Sequence, residues 1–159
     1  FLIDITKNII PIPPTATALG FFDGLHLGHM KVVEECFRHD GLSPAMFTFH
    51  SDTALPKREK IENLLTNEMK LEKLAEAGVK YIYSPDFNSV CNYTARDFIE
   101  KILVSIMNAK VVVCGFDFRL GAGGGSNADE LKEMCREYGI LYRRSVLTVV
   151  WYIQRRSKI

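Results

Sequence analysis

A chain of 159 residues is most economically read as one domain, long enough to bury an independent core. Its 20 Lys and Arg against 19 Asp and Glu leave a formal charge of +1, so no broad basic field is present to recruit nucleic acid or an anionic membrane. Hydrophobic content of 47% is ordinary for a soluble globular domain, and no apolar run approaches the roughly 20 residues of a membrane span.

Phe1-Leu2-Ile3-Asp4 lacks the charged-then-apolar layout of a secretory signal peptide, which predicts a cytoplasmic location. Cys36, Cys91, Cys114 and Cys135 are widely spaced and form no C-x-x-C pair, so they read as reduced packing residues rather than a disulfide framework. Asn92-Tyr93-Thr94 matches the glycosylation sequon, but without a secretory signal it reads as coincidence.

Residues 1–14 are expected to be an extended lead-in, because Pro11, Pro13 and Pro14 remove donors and fix φ. Thr17 to Phe22 reads as a short buried strand. Met30, Val32, Val33, Cys36 and Phe37 form a helical stripe over Met30–Arg38. Ser43 to Phe49 reads as a strand starting after Pro44, and His50 to Asn63 as a polar, basic loop. Thr66 is expected to cap a helix through Glu76, with Met69, Leu71, Leu74 and Ala75 on its apolar side and Gly78 ending it. Val79 to Tyr83 is the next strand. Thr94-Ala95-Arg96-Asp97 resembles a capping box for a helix through Met107. Lys110 to Cys114 reads as a fully buried strand. After a glycine-rich stretch, Ser126-Asn127-Ala128-Asp129 is a second capping-box candidate, opening a helix to Tyr138. Gly139 closes it, and Ile140 to Val150 offers a last strand. Strands alternating with helices predict βαβ units and one parallel sheet flanked by helices, an α/β, Rossmann-like domain.

Two loops carry the chemistry. Gly20-Phe21-Phe22-Asp23-Gly24-Leu25-His26-Leu27-Gly28-His29 lies on a strand-to-helix turn, where free backbone N–H groups and a positive helix end meet an anion. His26 and His29 straddle the expected helix start and can aim both imidazoles at one point above it, which suggests phosphate chemistry. Gly24 and Gly28 admit close backbone approach. No third His, Cys or Glu lies nearby at ligand spacing, which argues against zinc. Asp23 is either a turn-former or a group that orients a nucleotide or Mg²⁺. Gly115 to Gly121 follows the buried strand, and both loops should face one cleft at the carboxyl ends of the strands. There Arg119 could neutralise phosphate and Asp117 could accept a hydrogen bond from a base or ribose. Phe116 and Phe118 also read as ordinary packing, and Gly121 to Gly125 as a flexible loop. Lys57, Arg58 and Lys60 are either a solvated cluster or a lid on phosphates. His50, just past a strand end, could border the cleft, whereas His39 belongs to no constellation.

The run GFFDGLHLGH, with GFDFRLG after a valine-rich strand, resembles the adenylyltransferase module of bacterial bifunctional FAD synthetases, within the wider nucleotidyltransferase superfamily with an HxGH signature. Leu64 to Lys70 through Gly78, and Thr94 to Ile99, match that family's pattern in order, and the likeness spans roughly residues 15 to 148. The resemblance implies a Rossmann-like nucleotidyltransferase fold over the whole chain and transfer of AMP from ATP to FMN with Mg²⁺, giving FAD and pyrophosphate. It implies His26 and His29 as catalytic residues. Gly20, Phe21, Phe22, Asp23, Gly24, Gly28, Asp117 and Arg119 would bind ATP and its phosphates, and His50, Lys57 and Arg58 would serve the flavin side or a lid; no residue is firmly assigned to the metal. Small-molecule substrates are the expected partners, with no nucleic acid and no membrane.

Three departures from the family pattern shape these expectations. Phe21 stands where the family usually has asparagine. The family's riboflavin kinase domain is expected to be absent, and with it that activity. The Ser-Ser-Thr-x-x-Arg signature due after the last strand is missing. Trp151-Tyr152-Ile153-Gln154-Arg155-Arg156-Ser157 stands there instead, with Arg155 and Arg156 as candidate substitutes. Either the tail is divergent, with weak catalysis expected, or residues are missing there. The alternatives are another HxGH nucleotidyltransferase acting on pantetheine phosphate, nicotinamide mononucleotide or glycerol phosphate, and a flavin- or nucleotide-binding module with little or no turnover.

Overall fold

The computed structural model describes residues 2–20, 27–48, 67–115 and 128–145. These contain strands β1 (Ile3–Asp4), β2 (Thr15–Leu19), β3 (Ser43–Phe47), β4 (Tyr81–Tyr83), β5 (Ala109–Gly115) and β6 (Leu141–Ser145). The helices are α1 (Leu27–Cys36), α2 (Asn67–Ala77), α3 (Phe87–Val90), α4 (Ala95–Phe98) and α5 (Ala128–Glu137), and a π-helical segment, Ile99–Val104, continues α4. The strands form one sheet in the order β1-β4-β3-β2-β5-β6, and every neighbouring pair is parallel.

Parallel strands are buried on both faces, which explains the near-continuous apolar runs Thr15–Leu19 and Ala109–Cys114. Ala16, Ala18, Met46, Val111 and Val113 pack with Val32, Val33 and Cys36 of α1 and Leu74 of α2. On the opposite face Leu19, Phe47, Val112 and Cys114 pack with Phe98, Ile99, Ile102 and Leu103, and with Leu131 and Cys135 of α5.

The expected alternation of strands and helices is present, with several corrections. Residues 1–14 are not merely a lead-in: Ile3 and Ile5 donate to the carbonyls of Lys80 and Ile82 at 2.8 and 2.9 Å, adding β1 at the sheet edge. β3 starts at Ser43, with Pro44 inside it rather than before it. Ser43 N–H donates to Pro14 on the β2 side, so the missing N–H of Pro44 falls on the β4 side, before β4 begins. α1 begins at Leu27, three residues earlier than Met30, and ends at Cys36. Phe37 therefore lies beyond it, 41% exposed, with its ring under Gly78. Gly78 has φ +102°, and a Cβ there would meet the Phe37 ring at 3.1 Å, so glycine is needed for both backbone and space. Met69 is exposed rather than part of an apolar side. Tyr81 begins β4 two residues after Val79, α3 was not foreseen, and the helix expected through Met107 ends at Val104 in π form. The described part of the last strand is Leu141–Ser145; Thr66, Ser126, Asn127 and residues 146–150 lie outside the described residues.

The capping box is formed. Thr94 Oγ1 accepts from Asp97 N–H at 3.1 Å, and Asp97 Oδ2 accepts from Thr94 N–H at 3.3 Å. Thr94→Ala is expected to lower stability by about 1 kcal/mol, read as a fall in melting temperature; an unchanged melt would deny the cap its role.

All four cysteines are free, and Cys36, Cys114 and Cys135 are buried. Burial pushes the Cys36 thiol up to about 12, reinforced by Glu35, and that of Cys135 to about 12, reinforced by Cys114. Both thiols are weaker acids folded than unfolded. The stability they contribute is full below the ordinary value of 9.0 and drains as pH rises towards about 12. At pH 8 a thiolate-directed reagent should leave Cys36 and Cys135 unlabelled until the chain is unfolded, and rapid native labelling of either would contradict their burial.

Candidate active site

From β2 the chain steps outward through β3 to β4, then returns to the other side of β2 as β5 and continues to β6. The order therefore reverses between β2 and β5, and the crevice outside the carboxyl ends of these two strands is where an open parallel sheet binds ligands. Leu19 pairs with Cys114, so Gly20, just past β2, and Gly115, the last residue of β5, stand on neighbouring strands at their carboxyl ends. Both glycine-bearing loops singled out in the sequence start at this reversal.

Gly20 has φ +152°, a conformation that side-chain-bearing residues rarely adopt, and its N–H donates to Phe47 O at 3.3 Å. α1 follows and packs against β2, β3 and β5. Its first turn contains Leu27, Gly28 and His29, whose N–H groups have no partners within the helix. The helix starts at Leu27 rather than Met30, so His29 lies in its first turn and His26 precedes it in the sequence. The sequence reading missed this because a glycine at position 28 argues against helix.

Gly20, Gly28 and His29 are accordingly brought to the carboxyl end of β2. Phe21, Phe22, Asp23, Gly24, His26, Asp117, Arg119, His50, Lys57 and Arg58 lie outside the described residues, as do Arg155 and Arg156. Among the described residues no group of three or more His, Cys, Asp or Glu could hold a metal ion.

Two rim residues were passed over as plain strand residues. Tyr83 ends β4, its ring 6.1 Å from that of Phe47, which meets Phe98 edge-on at 4.9 Å. Burial, and then Tyr93, raise the Tyr83 phenol above its usual value and keep it protonated. Thr48, directly after β3, is buried and donates its N–H to Tyr83 O at 3.2 Å. The usable signal was position: each stands at the carboxyl end of a strand beside the reversal. A cavity of about 470 Å³ lies between α5 and β6, but its mixed charges, Asp129, Lys132, Glu133 and Arg136, sit on the flank of α5.

Comparison with known proteins converges on one group. The family model described as FAD synthetase matches residues 11–149. A bifunctional riboflavin kinase/FMN adenylyltransferase of Bacillus subtilis is 33% identical over 114 residues, covering 67% of this chain and 36% of its own. A FAD synthetase of Listeria monocytogenes is 30% identical over 128 residues, 77% of this chain and 52% of its own. The bifunctional enzyme of Escherichia coli is 33% identical over 127 residues, 76% of this chain and 41% of its own. The chain thus spans between about a third and a half of the length of these relatives. A crystal structure of a macrolide-efflux protein from Streptococcus pneumoniae superimposes with a TM-score of 0.72 at 29% identity, covering 91% of this chain and 50% of its own. Efflux belongs to that protein's name; among the described residues here, no helix is long and apolar enough to cross a membrane.

Proposed function

The chain belongs to the FAD synthetase family, and from that premise we propose that it transfers AMP from ATP to FMN. A phosphate oxygen of FMN attacks the α-phosphorus of ATP in line. One phosphoanhydride bond forms, the α–β anhydride breaks, and pyrophosphate leaves with the electron pair. The nucleophile is already an anion, so the chain need supply no covalent intermediate and no strong base. Its work is to position two anions and stabilise charge as pyrophosphate departs.

The observation that carries this reading is the pairing of Leu19 with Cys114, with α1 opening above β2. It sets the strand ends that precede two glycine-bearing loops, and a helix N-terminus, at one crevice, an arrangement suited to a triphosphate. In this reading His26 and His29 donate to the phosphates, with Gly20, Gly24 and Gly28 allowing backbone approach. Arg119 neutralises charge and Asp117 accepts from the nucleoside. Phe21 and Phe22 flank the nucleotide, and His50, Lys57 and Arg58 border the flavin side. A histidine in this role need not cycle its proton.

Mg²⁺ is held largely by substrate phosphates, its own waters and one or two carboxylates rather than by a protein cage. Asp23 is the carboxylate on the loop that would face it. When bound, the ion screens repulsion between the two anionic substrates.

Substrate choice tests the reading. With ATP and Mg²⁺, FMN should be consumed with a change in flavin fluorescence. Pantetheine phosphate, nicotinamide mononucleotide and glycerol phosphate should release no pyrophosphate. Turnover of one of those three in place of FMN would move the chain to another acceptor.

A further inference from the structure

The sides of α5 differ in how their residues are used. Leu131 and Cys135 are buried against the sheet, and Glu137 pairs with Arg96 of α4 at 3.0 Å. Asp129, Lys132, Glu133 and Arg136 form a separate stripe, at the i, i+3, i+4 and i+7 spacing that places residues on one face of a helix. All four are exposed, and they line the cavity of about 470 Å³ between α5 and β6. Its other wall is Ile140, Leu141 and Tyr142, and Leu141 is 48% exposed although it is a large apolar residue. β6 stands last in the order of the described sheet, so the groove runs along a sheet edge.

The stripe reads acid, base, acid, base along the helix. Turned end for end it reads base, acid, base, acid, with Arg136 in the place of Asp129 and Glu133 in the place of Lys132. A two-fold axis between Lys132 and Glu133 therefore sets Asp129 opposite Arg136 of the partner subunit, and Lys132 opposite Glu133 of the partner subunit. Each pairing then occurs twice, because in a two-fold contact the same patch meets itself. The stripe is neutral in sum, so two copies meet without net repulsion. Among the described residues Asp129 and Lys132 have no ion-pair partner. Arg136 and Glu133 of one helix pair at 3.7 Å with side chains 81% and 69% exposed, and a pair so open to water holds its members weakly.

We propose that the α5 stripe is a docking face for a second copy of this chain, with the two α5 helices antiparallel. The ion pairs set direction and register, and Leu141 supplies apolar surface beside them. Exposed pairs add little affinity. A helix of ten residues is about 15 Å long, too short to supply the roughly 1,200–2,000 Å² of a stable interface, so the dimer is weak and reversible. The stripe lies on the flank of α5 and uses no residue of the crevice, so the pairing stands whether or not the chain forms FAD.

Sedimentation equilibrium of the full chain at low ionic strength, where exposed pairs are least screened, tests this. The parent should associate reversibly to a dimer between micromolar and about 1 mM protein. Lys132→Glu sets acid against acid beside the axis, and Glu133→Lys sets base against base. Each should raise the dimer dissociation constant about tenfold or more, with circular dichroism and melting temperature close to the parent. The double variant Lys132→Glu/Glu133→Lys exchanges the two signs and should return to within about threefold of the parent, a recovery that non-specific association does not give. A parent that stays monomeric over that range would overturn the assignment and leave the groove to a different occupant. Single variants that associate like the parent, or a folded double variant no tighter than the singles, would overturn it as well.

Discussion

His29→Ala should lower the rate of AMP transfer by about 10²–10³-fold, the loss met when one preorganised donor to developing negative charge is removed. The residue lies in the first turn of α1, and alanine is the best helix former, so the helix should survive. Circular dichroism and melting temperature should therefore stay close to the parent while turnover collapses. The same substitution should weaken ATP binding much less than it slows transfer, because a donor used mainly as pyrophosphate departs is worth little in the ground state. A rate within threefold of the parent would remove His29 from the phosphate site.

The largest effect on stability is expected at Phe47. This side chain is 1% exposed, meets Phe98 edge-on at 4.9 Å and closes the core beneath the carboxyl rim. Phe47→Ala should cost about 3–5 kcal/mol in urea unfolding, through lost burial and the cavity left behind. Its carbonyl holds Gly20 N–H, so loosening this strand end should also reduce FAD formation at temperatures where the chain remains folded. Phe47→Leu refills much of the space and should cost appreciably less. An alanine variant within about 1 kcal/mol of the parent would mean that the rim does not rest on this ring.

Much of the architecture was legible because parallel strands buried on both faces leave unbroken apolar runs. β2 and β5 were read from Thr17-Ala18-Leu19 and Val111-Val112-Val113 within a few residues of their ends. What escaped was short or broke a local rule. β1 is two residues long, held by edge hydrogen bonds rather than by a pattern of its own. Pro44 argues against a strand by itself, and only the late start of β4 makes its missing donor harmless. The π segment follows a genuine capping box, and no periodicity distinguishes it from α-helix. Asn108 then turns the chain at φ +49°, its side chain donating to Ile12 O at 2.9 Å, a contact between residues far apart in sequence.

The candidate site was legible to a different degree. A strand, a glycine and a helix in succession predict an anion-binding turn; Gly20 directly follows β2, and Gly28 and His29 stand in the first turn of α1. That the second glycine-bearing loop starts beside the first depends on strand order, since β5 could have joined the sheet elsewhere. Thr48 and Tyr83 gain meaning only from that order, because nothing local separates them from other strand residues.

The most direct test of the central claim is to incubate the chain with ATP, Mg²⁺ and FMN, separate the flavins by chromatography and measure pyrophosphate in parallel. FAD and pyrophosphate should appear in equal amounts, with neither formed when FMN is left out. ATP consumed without FAD, or FMN returned unchanged by a chain that binds ATP, would contradict adenylyl transfer to the flavin.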